Sequence, residues 1–239
     1  MSKTARGLVL IAPLLGLSLF APPAGADMGE ERPEPREREV VAALHPIEGT
    51  GIKGHGHAEV EFDQNGVIDE FEVVARGLLA GAPHAAHIHF GEQARHECPT
   101  LKDDTDKNKI LSTTEGNPAY GPIVLSLTTS GDTSPKSALA GDRFSTAPGG
   151  LIHYERDGGF ETAKGVAKAV AEGKGVVVIH GVDYNKNGKY DFEAAGKSEL
   201  DMSLPAEATN PAMCGVLEDD CSASGADGSS PSAPVAVSR

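Results

Sequence analysis

The sequence predicts an all-β fold, a β-sandwich or barrel with a short helix and long loops. The first observation is compositional: aromatic residues make up only 5% of the chain and Trp is absent, whereas Gly occurs 29 times and Pro 16 times. The second is a series of short apolar segments separated by turn sequences, without a long internal repeat. Both features are typical of short antiparallel strands joined by many turns rather than of helical bundles.

Six segments show the apolar alternation or the continuous apolar run of a β-strand. They are residues 57–62, 67–75, 85–90, 123–127, 151–154 and 176–180. The first two are separated by Asp63-Gln64-Asn65-Gly66, whose Asn-Gly pair predicts a hairpin turn. One helix is predicted over residues 163–172, where Val166, Ala169 and Val170 stand at helical spacing.

Residues 1–26 have the features of a secretory signal peptide. Lys3 and Arg6 precede an apolar run, and Ala24-Gly25-Ala26 is a small-residue cleavage pattern. The apolar run is too short to span a bilayer comfortably, and no later segment is apolar enough, so we expect no integral membrane segment. The protein is therefore expected to be secreted, either extracellular or held in the cell envelope.

The remaining chain is predicted to be one folded domain between two disordered ends. Residues 27–40 form a charged, Pro-containing linker, residues 41–217 the domain, and residues 218–239 a low-complexity tail. The net charge of −14 becomes −16 once Lys3 and Arg6 are removed with the leader. Such a charge disfavours nucleic acid and anionic membranes as partners and favours metal cations. It identifies no protein partner.

A cluster of histidines predicts a metal site. In the pattern H-x-x-H-x-H, which begins at His84, the side chains of His87 and His89 lie on one face of a strand because side chains alternate. His180 ends the apolar strand 176–180 and is the candidate third imidazole, with His84 and His153 as further candidates. Imidazole ligands suit copper or zinc. The alternative is that these histidines are hydrogen-bonded surface or core-rim residues without a metal.

Residues 104–115 resemble the EF-hand calcium loop. Oxygen-bearing side chains stand at loop positions 1, 3, 5, 9 and 12: Asp104, Asp106, Asn108, Ser112 and Glu115. Position 6, where the EF-hand loop has Gly, is Lys109. The alternative is a polar, solvated loop.

Residues 183–193 form a second, weaker calcium-like segment. Its oxygen-bearing side chains alternate around Gly188: Asp183, Asn185, Asn187 and Asp191. A plain Asn-Gly hairpin is the alternative, and the sequence favours it over an ion site.

Three cysteines are present, Cys98, Cys214 and Cys221. In an exported protein two of them are expected to form a disulfide, which leaves one over. Their spacing alone does not decide the pairing.

The segments 83–91 (PHAAHIHFG), 177–180 (VVIH) and 212–216 (AMCGV) resemble, in order, parts of the copper/zinc superoxide dismutases. Residues 85–91, followed by 121–124 (GPIV), are equally similar to the CHRD domain. The resemblance covers about residues 57–217. It implies a Greek-key β-sandwich of the dismutase type, copper ligands at His87, His89 and His180, and a disulfide between Cys98 and Cys214.

The sequence also departs from the dismutase pattern. That family has a bridging histidine and a zinc loop with further histidines, whereas this chain has no histidine between His96 and His153. The family's active-site Arg, three residues before the second Cys, is replaced by Pro211. Loss of that cation, together with the acidic charge, removes the attraction for superoxide.

Three functions remain open from the sequence. The first is a secreted metal-binding module of the CHRD or dismutase type that is not an efficient dismutase, with copper at the histidines and calcium in the loops. The second is a copper-only, dismutase-like oxidoreductase. The third is a metal-free structural or interaction domain. They are distinguished by whether the ring nitrogens of His87, His89 and His180 converge on one point.

Overall fold

The computed structural model describes residues 38–219. The predicted leader, most of the predicted linker, the tail from residue 220 and Cys221 lie outside the described residues. Both predicted ends of the domain need correction. The first strand begins at Arg38, and Val40 is fully buried, so residues 38–40 belong to the fold. Residues 218–219 pair with this strand and are also part of the sheet.

The described chain contains nine strands and three short α-helices. In chain order these are β1 (Arg38–Pro46), β2 (His55–Phe62), β3 (Ile68–Arg76), β4 (Ala86–His89), α1 (Thr113–Tyr120), β5 (Ile123–Ser126), β6 (Leu151–Asp157), α2 (Val166–Ala169), β7 (Val176–His180), α3 (Ala206–Thr209), β8 (Pro211–Val216) and β9 (Glu218–Asp219). Three 3₁₀ turns lie between β5 and β6, at Pro135–Ser137, Gly141–Arg143 and Pro148–Gly150.

All strand pairs are antiparallel, and they form one curled sheet in the order β5-β4-β7-β8-β1-β2-β3-β6, with β9 paired to β1. The all-β prediction is confirmed at this level, whereas the Greek-key, dismutase-like topology stays a prediction. Each of the six predicted strands exists, with ends within three residues of those expected. The hairpin at residues 63–66 joins β2 to β3, and Asp63 Oδ1 accepts hydrogen bonds from the amides of Asn65 and Val67.

The helix prediction for residues 163–172 is correct only over its central turn. The α-helix begins at Val166 and ends at Ala169, and a π-type turn follows over Val170–Lys174. Gly165, directly before α2, and Gly173, near the end of the π-type turn, have φ angles of 88° and 80°. The backbone is therefore left-handed at both ends of the helical residues 166–172.

Apolar side chains pack on both faces of the sheet near β7. The larger cluster joins the inner faces of most strands and includes Val177 and Ile179. The smaller cluster lies on the other face and includes Val176, Val178 and Tyr120 of α1. Because both faces of β7 are covered, its five residues are all buried, which explains the unbroken apolar run in its sequence.

A disulfide between Cys98 and Cys214 closes a separation of 116 residues. This is the pairing that the dismutase resemblance implies. It ties the segment that leads into α1 to the middle of β8, so the cover of the smaller cluster is covalently attached to the sheet.

We expect the double variant Cys98→Ala/Cys214→Ala to lose about 2–5 kcal/mol of unfolding free energy, because a cross-link over so long a loop restricts the unfolded chain strongly. Urea unfolding of the oxidised wild type and the variant measures the difference. Cys221→Ala is the matched control and should keep the wild-type midpoint. Equal midpoints for wild type and double variant would contradict the prediction.

Candidate metal centre

The pairing of β4 with β7 places three histidines on one face of the sheet. His87 lies opposite Val178, and His89 lies opposite Val176. His180 follows Val178 by two residues at the end of β7, so its side chain has the same orientation. The alternation in the sequence therefore predicted correctly that His87 and His89 share a face.

Irregularities in strand pairing occur at two of these histidines. The register between β4 and β5 shifts between Ile88 and His89, and the register between β7 and β8 shifts between Ile179 and His180. Pro211, which has no amide hydrogen, lies opposite His180 at the second shift. Such bulges change the direction of a side chain, and they are common next to functional sites.

The imidazoles of His87, His89 and His180, the three-histidine group, converge. One ring nitrogen from each lies within 4.8 Å of those from the other two. The side chains are almost completely buried, with exposed fractions of 3%, 1% and 2% respectively. The nitrogens His87 Nδ1, His89 Nε2 and His180 Nε2 are buried and have no hydrogen-bond partner.

The other nitrogen of each ring contacts a backbone carbonyl. His89 Nδ1 lies 2.8 Å from the oxygen of Gly121, and His180 Nδ1 lies 2.7 Å from that of Thr209. His87 Nε2 lies 3.2 Å from the oxygen of Ala138. Because a carbonyl only accepts hydrogen bonds, each of these nitrogens must carry the hydrogen of a neutral ring. The three unpartnered nitrogens then present lone pairs, as metal ligands do.

Burial keeps these rings neutral. It lowers the pKa of His87 well below its ordinary value, with a further decrease from the neighbouring His180 and His89. Burial lowers the pKa of His89 to about 3 and that of His180 to about 4. The group is therefore unprotonated at neutral pH, which is the state that metal ligation requires.

Aromatic side chains pack against two of the three imidazoles. Tyr120 packs against His89 with 4.4 Å between ring centroids, and Phe144 packs against His87 at 5.3 Å. The Tyr120 hydroxyl donates to the carbonyl of Thr113 and so does not compete for the free nitrogens. An unpartnered buried polar atom costs about 1–3 kcal/mol, and each ring of the three-histidine group carries one.

A small cavity of about 170 Å³ opens beside His87 and His180. Its walls are mainly apolar and include Leu139, Phe144 and Leu204. None of the residues that line it carries a formal charge at neutral pH. A small neutral molecule would therefore reach the two imidazoles without meeting a charged side chain.

The two further histidine candidates do not join the group. His84 is buried, and its Nδ1 lies 2.9 Å from the carbonyl oxygen of His180, where it supports the strand end. The Tyr190 hydroxyl lies 3.2 Å from the same nitrogen. His153 is on β6, at the opposite end of the sheet from β4, and its exposed ring contacts Glu72 at 3.1 Å. The structure therefore does not bring His84 or His153 to the three-histidine group.

The two calcium-like loops differ in structure. In the first, carboxylate oxygens of Asp104, Asp106 and Glu115 lie within 4.8 Å of one another. Asn108 accepts a hydrogen bond from the amide of Ile110, and the Ser112 hydroxyl accepts one from the amide of Glu115 as the N-cap of α1.

In the second loop, the candidate ligands bond to one another and to the loop backbone. Asp183 accepts from the amides of Asn187 and Gly188, and the Asn187 side-chain amide donates to Asp191 at 2.6 Å. The Asn185 side-chain amide lies 3.5 Å from the other oxygen of Asp191. No strand lies between residues 181 and 210, so the segment is an irregular loop, and the hairpin alternative is wrong.

Sequence reasoning missed Glu207, which holds this second loop in place. It is fully buried in α3, and its two carboxylate oxygens accept hydrogen bonds from the amides of Tyr184 and Asp191. Its flanking sequence is unremarkable, and only the fold brings it under the loop.

Comparison of the chain with protein-family models and with curated proteins gives no match. Within residues 38–219, no helix is long and apolar enough to cross a membrane. The functional assignment therefore rests on the geometry of the described residues.

Stability of the metal-stripped protein should fall as the pH falls below about 6.5. An unfolded histidine titrates near 6.5, whereas the folded pKa is about 3 for His89 and about 4 for His180. Between these values the unfolded chain binds more protons, so each buried ring contributes a slope of roughly 1 kcal/mol per pH unit. Urea unfolding between pH 7 and pH 5 measures this slope.

In that experiment His89→Gln should show a shallower slope than wild type. His153→Gln, which removes an exposed imidazole, is the control and should keep the wild-type slope. A stability that is flat over this range in the wild type would show that the rings are not held neutral by the fold.

Proposed function

We propose that the protein is an exported β-sheet module that binds one copper ion through His87 Nδ1, His89 Nε2 and His180 Nε2 and that is not an efficient superoxide dismutase. The observation that carries the proposal is the convergence of three buried imidazoles, each of which has one ring nitrogen within 4.8 Å of the others and one ring nitrogen without a hydrogen-bond partner. A metal ion among them would satisfy all three lone pairs at once.

The ligand set favours copper. It consists of three neutral imidazoles, without a thiolate or a carboxylate in the same group. Imidazole ligands suit copper and zinc, and a given nitrogen site binds Cu²⁺ more tightly than Zn²⁺ by the usual order of affinities. The carbonyl partners of the three rings fix their orientation and increase their basicity as ligands.

Two features argue against rapid superoxide dismutation. Superoxide is an anion, and the chain carries a net charge of −14. The cavity beside His87 and His180 has no Lys or Arg among its lining residues, and Pro211 stands where the dismutase pattern has Arg. Without local positive charge, electrostatic steering of an anion into the site is lost.

The disulfide supports export. Stable disulfides form in oxidising compartments, and the Cys98–Cys214 bridge joins a buried Cys214 to a partly buried Cys98. This agrees with a leader over residues 1–26, cleaved before the protein reaches its destination outside the cell or in the envelope.

A second candidate function is a copper-only, dismutase-like oxidoreductase. It is favoured by the cavity, which reaches both His87 and His180 and would leave one side of a bound ion accessible to a small molecule. Bound copper would supply one-electron exchange at that position. The third alternative, a metal-free interaction domain, leaves the three unpartnered nitrogens without a physical reason.

The test is the metal content of the protein purified from its native host, measured by elemental mass spectrometry. We expect about one copper per chain in the wild type and at least a tenfold loss in His89→Gln and His180→Gln, because two imidazoles hold copper far less tightly than three. His153→Gln is the matched control and should retain the metal.

Absence of a stoichiometric transition metal from the wild type, even after copper is supplied in excess, would refute the proposal. Stoichiometric zinc in place of copper would correct the metal. A superoxide assay on the copper-loaded protein separates the two candidate functions. A second-order rate near the diffusion limit of about 10⁸–10⁹ M⁻¹s⁻¹ would establish the oxidoreductase instead.

A further inference from the structure

A second group of ligand atoms lies outside the three-histidine group, in the acidic loop of residues 104–115. Carboxylate oxygens of Asp104, Asp106 and Glu115 approach within 4.8 Å of one another. No Lys, Arg or His nitrogen within residues 38–219 forms an ion pair with any of the three. Three negative charges therefore converge without a direct ion pair, and Lys197 lines the same pocket as Asp106 and Glu115.

The decisive atom is Asp104 Oδ1. The Asp104 side chain is 9% exposed, and its Oδ2 accepts a hydrogen bond from the amide of Lys109 at 2.8 Å. Oδ1 is buried and has no partner. A buried carboxylate oxygen that receives neither a hydrogen bond nor a counter-ion is rare, because its desolvation is not compensated.

The other two carboxylates are held beside Asp104 by hydrogen bonds within the loop and at the start of α1. Glu115 Oε1 accepts hydrogen bonds from the amide and the hydroxyl of Thr105, while Oε2 accepts from the amide of Ser112. Asp106 accepts from the backbone and side-chain amides of Asn108. These bonds hold the carboxylates together despite their repulsion. Glu115 Oε1 accepts a third hydrogen bond, from the amide of Asp106, whereas Glu115 Oε2 and the oxygens of both aspartates keep lone pairs for a cation.

The backbone of the loop accounts for its departure from the EF-hand sequence. Lys109 occupies position 6 with a φ of 68°, the left-handed conformation for which that loop normally uses Gly. The amide of Lys109 donates to the carboxylate at position 1, Asp104. The left-handed residue of the EF-hand turn is therefore present at position 6, although a lysine adopts this conformation less favourably than Gly.

We propose that Asp104, Asp106 and Glu115 form a calcium site. The ligand atoms are all oxygen, which selects a hard cation over copper or zinc. Calcium accepts six to eight oxygens in irregular geometry, so backbone carbonyls and water would complete the shell, whereas magnesium requires a near-ideal octahedron. The site is separate from the three-histidine group, and the inference does not depend on copper binding.

The test is calcium binding to the full-length, disulfide-bonded protein after treatment with EGTA. Calorimetric titration with CaCl₂ should show a site with a Kd in the range of about 10⁻⁴–10⁻³ M or tighter, as in extracellular modules. At a calcium concentration 100-fold above Kd, the Tm should rise by about 5–10 °C. Asp104→Asn should weaken binding at least tenfold and abolish most of this rise.

Two control variants separate this site from other acidic surfaces. Glu155 belongs to a mainly exposed group with Glu70 and Asp157, whose carboxylate oxygens also converge but include no buried unpartnered atom. The variant Glu155→Gln should therefore bind calcium as the wild type does. Asp191→Asn tests the second calcium-like loop and should also keep wild-type binding. Glu115 is a poor test position because its side chain also caps α1.

Asp106→Asn is a second variant within the site, and it guards against a folding defect in Asp104→Asn. Retention of the disulfide and of the near-UV circular dichroism would establish that both variants fold. Wild-type calcium affinity in both would overturn the proposal, as would loss of binding in Asp191→Asn alone. Equal affinity for magnesium and calcium would overturn the assignment to calcium.

Discussion

The antiparallel register between β4 and β7 is the constraint on which the rest of the structure depends. It sets His87 beside Val178 and His89 beside Val176, and it leaves His180 at the strand end on the same face. A shift of one residue in either strand would turn the imidazoles into the larger apolar cluster. The face of β7 that carries Val176, Val178 and His180 must then be covered by other parts of the chain, because its side chains are buried.

The segments that cover this face of the sheet also orient the three imidazole rings. The three carbonyls that hold the histidines belong to Gly121, Ala138 and Thr209, all of which lie outside the strands. The helix α1 links two of them: Gly121 follows it directly, and the hydroxyl of its first residue, Thr113, donates to the same Thr209 oxygen that His180 contacts. The acidic loop ends at the first turn of this helix, so the two candidate metal sites share one structural support.

Much of this fold is predictable from the sequence, and the failures have physical reasons. Alternation and apolar runs located six strands, since each has one or both faces buried. The strand β1 was missed because it begins inside a charged segment, where only Val40 and its alternate neighbours are buried. The helix α1 was missed because Gly116 and Pro118 lower its helical propensity, although Ser112 and Glu115 supplied a capping box that signals its start. The carbonyl partners of the rings and the burial of Asp104 depend on tertiary contacts alone, so residue type does not reveal them.

In the three-histidine group, His180 lies far from His87 and His89 in the sequence, so a metal ion could bind to all three only once the chain is folded. His87 and His180 are 93 positions apart, and the carbonyl that holds His180 comes 29 positions later still. In an unfolded chain the imidazoles are dispersed, and two of the three carbonyls, those of Gly121 and Ala138, belong to loops. A metal bound in this geometry would therefore be captured late, after the chain has folded and the Cys98–Cys214 disulfide has formed. The metal ions present where folding is completed would then decide which of them this geometry binds.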